Sequence, residues 1–280
     1  MEDAHTLITD KKMHTPQKSD SFLTVCQIAE EIIGRNNIQY IFEFGARYGE
    51  DTAQFAERYP EAKIFSFECN PNTREICQEN LKKYPNVIFS NSAVADSDGE
   101  VTFYPIDKEK TQTTWVDGNQ GASSLLKASG KYPVEEYIQT KVTVKATTLE
   151  TVMKEYKIPC INILWMDVQG AEELALSGLG KRIADVQLIF TEVNFFEIYK
   201  DQPLFDEVKN KIESEGFVFA GVRSFEGFSS DALFVNSRLG SIALSDFTKY
   251  GFSNEKSSSK SEGITSKLIN FIKKCLFSRV

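Results

Sequence analysis

Tyr40-Ile41-Phe42-Glu43-Phe44-Gly45-Ala46-Arg47-Tyr48-Gly49-Glu50-Asp51-Thr52 is the stretch on which the fold turns. Its first five residues are aromatic or β-branched except Glu43, and Gly45 ends the run, which predicts a short strand. Gly49 follows, and residues 50–59 have helical character until Pro60 stops them. Strand, glycine turn and helix thus follow one another without a gap. Working outward, Lys63 to Phe67 reads as a second strand ended by Glu68. Pro71 to Tyr84 reads as a helix with proline near its first turn, and Val87 to Phe89 as a third strand. Upstream, Phe22, Val25, Ile28, Ala29 and Ile32 recur at helical spacing over 21–35. Downstream, short strands are expected at 101–104 and 142–145, and a helix at 149–156. Ile161 to Met166 is nearly continuous in apolar residues, as a strand buried on both faces should be. A helix starts at Gly170, a buried strand spans 186–193 and a helix 205–215, and 217–222 with 232–235 make a closing antiparallel pair. The alternation predicts a doubly wound α/β fold: a mostly parallel seven-stranded sheet with an antiparallel closing strand and helices on both faces.

Ligands of such sheets sit at the carboxyl ends of the strands. The residues just after each strand are therefore the candidate site. Gly45 and Gly49 permit a tight turn and a close backbone approach to a ligand. With Glu43 accepting from an ammonium group, and loop N–H groups and Thr52 meeting a carboxylate, this turn can cradle the amino-acid end of S-adenosylmethionine. A glycine turn alone is unspecific. Glu68, 19 residues beyond Gly49, adds the acid that accepts ribose hydroxyls in nucleotide-binding sheets. Asn91 and Ser92, after the third strand, can flank an adenine. Asp167 leaves a wholly apolar strand at the same edge, where a group would be transferred. Glu192 and Asn194 end the fifth strand; Glu192 can contact substrate or, with Asp167, hold a divalent cation, although no metal site is expected.

Together these segments resemble one family. E-F-G-A-R-Y-G-E-D-T, F-E-C-N-P, N-S-A-V-A-D-S-D-G, G-A-S-S-L-L and above all M-D-V-Q-G-A-E-E-L-A-L-S-G-L are similar to the FkbM methyltransferases over about residues 38–236. The resemblance implies a Rossmann-like fold, S-adenosylmethionine as methyl donor, and O-methylation of a hydroxyl on a sugar, glycan or polyketide-type product. It implies that Glu43, Gly45, Gly49 and Glu68 contact the cofactor, that Asp167 lies at the reaction edge, and that Glu172 belongs to the motif helix. Three positions depart from the family pattern. Arg47 replaces an Asn in D-x-G-A-N-x-G, Gln169 replaces the Glu of D-V-E-G-A-E, and T-L-D reads Thr148-Leu149-Glu150. The first two motifs also look like those of small-molecule O-methyltransferases related to catechol methyltransferase.

A sugar hydroxyl is a weak nucleophile and needs a general base. His5 and His14 are the only histidines, both in a polar leader over 1–20, so the expected base is Asp167, with Glu192 second. The methyltransferase domain is expected over 21–240. Within it, residues 105–140 are rich in Thr, Gly, Asn, Ser and Lys and form a candidate acceptor lid carrying Trp115, Tyr132 and Tyr137. Residues 241–280 read as a linker and a basic amphipathic helix from Ile264. Residues 254–280 carry six Lys or Arg against two Glu, a pattern suited to peripheral membrane contact. The net charge of −8 argues against a nucleic-acid partner, which wants a basic footprint. Five scattered cysteines, no signal peptide and no spanning apolar segment point to a cytoplasmic protein. Two other readings share the fold. A nicotinamide-dependent oxidoreductase would want G-x-G-x-x-G, which is missing; a non-catalytic binding module would explain Arg47 and Gln169.

Overall fold

The computed structural model describes residues 20–223, 227–240 and 244–253. The polar leader up to 19, the Ser-rich linker and the basic helix expected from Ile264 lie outside the described residues.

Among the described residues, six α-helices and ten strands follow one another along the chain. They run α1 (Asp20–Ile33), β1 (Tyr40–Phe44), α2 (Glu50–Arg58), β2 (Lys63–Phe67), α3 (Arg74–Leu81), β3 (Val87–Ser90), β4 (Ala93–Val94) and β5 (Gly99–Phe103). There follow β6 (Val142–Thr147), α4 (Leu149–Glu155), β7 (Ile161–Met166), α5 (Glu172–Ser177), β8 (Val186–Asn194), α6 (Phe205–Ser214), β9 (Phe217–Arg223) and β10 (Ser229–Asn236). The main sheet has seven strands in the order β3-β2-β1-β7-β8-β10-β9. Its first five strands are parallel, and β10 runs antiparallel to both neighbours. The expected doubly wound sheet with its closing antiparallel strand is the one observed. β1 and β7 are adjacent, Phe44 opposite Met166, and this is where the order reverses.

Side-chain alternation explains the two cores. Phe42, Phe65, Leu164, Ile189 and Phe234 face the layer of α4, α5 and α6. Ile41, Ile64, Ile163, Leu188 and Leu233, one position earlier on each strand, face α1 and α2. Every residue of β7 is buried because both faces are covered. Rings stack across the central strands, with Phe42 and Phe65 centroids 4.5 Å apart.

Three features differ from the sequence expectations. The strands expected at 101–104 and 142–145 are β5 and β6, but they join β4 in a separate three-stranded sheet. The helix expected from Gly170 starts at Glu172, because Gln169 (φ +55°) and Gly170 (φ +90°) are left-handed. The packed domain also runs past 240. Phe247 and Phe252 are buried, and Ser253 bridges Val222.

Candidate active site

A cavity of about 780 Å³ opens at the carboxyl edge of the parallel strands, a volume in the usual range for small-molecule sites. Gly45 forms one end of it. At φ +78°, a Cβ here would lie 1.9 Å from the Asp167 carbonyl oxygen. The missing side chain lets β1 and β7 stay paired to their ends, where the Asp167 N–H donates to the Phe44 carbonyl at 3.0 Å.

The glycine turn is stitched to the end of β2. Gly45 and Ala46 donate their N–H groups to the Phe67 carbonyl at 3.0 and 3.1 Å. Arg47, at φ +50°, donates its N–H to Glu68 Oε2 at 2.6 Å. Asn70 donates its N–H to Glu68 Oε1 at 2.7 Å. Glu68 lines the cavity yet is only 7% exposed. Burial pushes its carboxyl up to about 7, against the two backbone hydrogen bonds, which favour the charged form. Each oxygen accepts one N–H in this way and the Thr73 hydroxyl adds a third donor, which leaves the carboxylate room for a further one.

Glu43 and Thr52 lie behind this wall, not on it. Glu43 accepts the Thr52 hydroxyl, and Thr52 is 2.8 Å from Ser66 Oγ. Thr52 has no exposed surface, so the expected contact with a ligand carboxylate is not made from its position. Burial, then the neighbouring Asp51 charge, holds Glu43 well above the usual carboxylate range. The loop N–H groups expected to meet an anion are taken at four positions, since Gly49 donates to Ala46 O at 2.6 Å. Gly49 acts through packing, with a Cβ there only 2.9 Å from Leu81. Ser92 lines the cavity; Asn91, expected beside it, is exposed and is not a lining residue.

Beside Gly45, at the end of β7, Asp167 is joined to Glu192 by Gln169. Its Nε2 donates to Asp167 Oδ1 at 2.6 Å and to Glu192 Oε2 at 3.2 Å. The Tyr199 hydroxyl, fully buried, lies 2.9 Å from Gln169 Oε1 and 2.8 Å from the Ala122 carbonyl. Burial, followed by the charges of Asp167 and Glu172, holds Glu192 well above the usual range. Glu172 is buried behind this pair and is pushed up to about 7 by burial. Sequence reasoning treated Gln169 only as a lost charge. The structure makes it the amide that joins two carboxylates, and Tyr199, 30 residues away, gave no local signal. Among the described residues, no group of three or more His, Cys, Asp or Glu is placed to hold a metal ion.

The segment 105–140 closes one side. Tyr104 bridges Ser124, Ile106 bridges Gln139, and Ala128 bridges Tyr199. Trp115, Tyr132 and Tyr137 all line the cavity. Arg47 reaches this segment through an ion pair with Asp117, which also accepts the Tyr48 hydroxyl at 3.0 Å.

The sheet order and the edge cavity define a doubly wound α/β protein with a cavity at the switch in strand order, the place where such sheets take ligands. The chain belongs to the methyltransferase FkbM domain family, whose profile matches residues 43–219. It is 24% identical over 201 residues to the 2-O-methyltransferase NoeI of Sinorhizobium fredii, covering 71% of this chain and 80% of that protein. It is 22% identical over 135 residues to the hexuronic acid methyltransferase AglP of Haloferax volcanii, covering 48% of each. Among solved structures, M. capricolum TrmK in complex with S-adenosyl-homocysteine aligns with a TM-score of 0.45 and 10% identity, covering 89% of this chain and 83% of that one. Synechocystis magnesium protoporphyrin IX methyltransferase with bound SAM aligns at 0.42 and 11%, covering 78% and 80%. Among the described residues, no helix is long and apolar enough to cross a membrane.

Proposed function

We propose that the chain is an S-adenosylmethionine-dependent O-methyltransferase acting on a hydroxyl of a sugar, glycan or related small molecule. The observation that carries this reading is one cavity lined together by Gly45, Glu68 and the Asp167–Gln169–Glu192 cluster. The residues present fit the donor. Gly45 lets the backbone close tightly on Asp167 at the cavity wall, and Glu68 presents a buried carboxylate with acceptor capacity left for a ribose hydroxyl. When bound, the cofactor supplies a methyl group already activated on a sulfonium.

The protein's own task is then alignment and proton removal. Glu68 accepts the ribose hydroxyls, and Ser92 borders the base. Asp167, exposed to the cavity, orients the acceptor hydroxyl and takes its proton at the carboxylate. Glu192 is the second acceptor, its proton affinity raised by burial and by the charges of Asp167 and Glu172. Gln169 fixes the spacing of the two. Tyr132 and Tyr137 offer aromatic faces to a sugar ring from the 105–140 lid. The 2-O-methyltransferase and hexuronic acid methyltransferase relatives support a hydroxyl-bearing acceptor. The odd, scattered cysteines support a cytoplasmic setting.

Calorimetry tests the reading, with NAD as control and labelled methyl transfer to neutral sugars and hexuronates as the second step. The expected result is S-adenosylmethionine binding that Glu68→Ala weakens at least about tenfold, with no NAD binding. A folded chain that ignores the donor, or prefers NAD, refutes it.

A further inference from the structure

Among the described residues that line the cavity, Arg47 is the one cation, against Glu68, Glu135, Asp167 and Glu192. Its backbone is fixed by the glycine turn and by the hydrogen bond to Glu68. Its side chain is fixed by the lid. Asp117 pairs with one terminal nitrogen, and the guanidinium carbon lies 5.2 Å from the Tyr48 ring centroid and 5.5 Å from that of Trp115. Nε is buried and has no hydrogen-bond partner. The side chain as a whole is still 32% exposed and lines the cavity, so the guanidinium can be reached from there. Within the glycine turn, the backbone N–H groups of Gly45, Ala46, Arg47 and Gly49 are already taken.

We propose that Arg47 binds the α-carboxylate of the methyl donor, in place of the backbone N–H groups that a glycine turn offers an anion. The assignment rests on the S-adenosylmethionine reading of the same cavity. Charge explains the need for it. Four lining carboxylates favour the sulfonium and ammonium groups of the donor but repel its carboxylate. A guanidinium, with five N–H donors in a rigid fork, can hold Asp117 on one edge and a second carboxylate on another. Arg47 is the residue that departs from the family's Asn, so this chain meets the anionic end of its cofactor in its own way.

The test compares S-adenosylhomocysteine with 5′-methylthioadenosine, the same nucleoside thioether without the amino-acid end. Both are titrated calorimetrically into the full chain, Arg47→Asn and Asp117→Asn, with folding checked by circular dichroism. Arg47→Asn is expected to weaken S-adenosylhomocysteine about tenfold or more, and methylthioadenosine less than about threefold. Asp117→Asn, which cuts the ion pair but keeps the guanidinium, is expected to leave the ratio of the two affinities as in the native chain. Equal losses for both ligands in Arg47→Asn, or unchanged S-adenosylhomocysteine binding, would overturn the Arg47 assignment and leave the methyl-donor site standing. So would an Asp117→Asn chain that reproduces the Arg47→Asn pattern, because the ion pair would then carry the effect. Binding of neither ligand by the folded native chain would overturn the donor reading and the assignment together.

Discussion

At the residue scale, Gln169 shows how a single amide organises two carboxylates. A glutamine can donate twice from Nε2 and accept at Oε1, and here Asp167, Glu192 and Tyr199 occupy those directions. A glutamate could not donate twice, and when ionised it would put a third negative charge beside two acids. Restoring the family's acid through Gln169→Glu is therefore expected to destabilise the chain at about pH 8 by about 1–3 kcal/mol, and much less at about pH 5.5, where the new carboxyl can be protonated. Chemical denaturation at the two pH values measures this. An equal loss at both would mean that charge is not the reason for the glutamine. Glu43 and Thr52 teach the complementary lesson. Their types and spacing suit a ligand, yet the turn packs them behind the cavity wall as each other's partners.

At the element scale, the main sheet was legible because its strands are short apolar runs bounded by glycine, proline or an acid. The period alone separates Ile41 from Phe42 and Ile163 from Leu164 onto opposite cores. β4 was not legible, since two residues carry no periodicity, and its sheet forms only when β6 arrives from about fifty residues away. The start of α5 was misread by two residues, because the left-handed turn at Gln169 and Gly170 is set by contacts with Tyr199 and Gln202. The 105–140 segment can be followed directly. The chain has two tryptophans; Trp165 is 7% exposed and Trp115 is 54% exposed, against Arg47 at the mouth of the cavity. Donor binding should change the intrinsic fluorescence, and Trp115→Phe should remove most of that change. A change that survives the substitution would show that the 105–140 segment does not respond to the cofactor.

At the scale of the whole molecule, the site gathers buried acids at a cost in stability. Burial pushes Glu68 and Glu172 up to about 7 and Asp51 up to about 6. In the unfolded chain these groups return to the ordinary carboxylate range. The folded state thus binds more protons between that range and about pH 7, and stability falls as pH rises through this window. The melting temperature should be at least about 3 °C higher at about pH 5.5 than at about pH 8. Glu172→Gln removes one of the raised groups and should shrink the difference, as scanning calorimetry at the two pH values would show. A melting temperature that rises from pH 5.5 to 8 would contradict the burial of these carboxyls.

By itself, the sequence determined the order of strands and helices, the glycine turn after β1, and the acids at the strand ends. These are local properties: a period of two or of 3.6 residues, a residue without a Cβ, a charge where an apolar run stops. The tertiary structure alone decided which of those strand-end groups share a cavity. Glu68, Ser92, Asp167 and Glu192 line it; Thr52 lies behind it and Asn91 outside it. It alone joined Arg47 to Asp117 and Gln169 to Tyr199, partners 70 and 30 residues apart. No local pattern encodes such pairs, because they arise where packed elements bring distant side chains within hydrogen-bond reach.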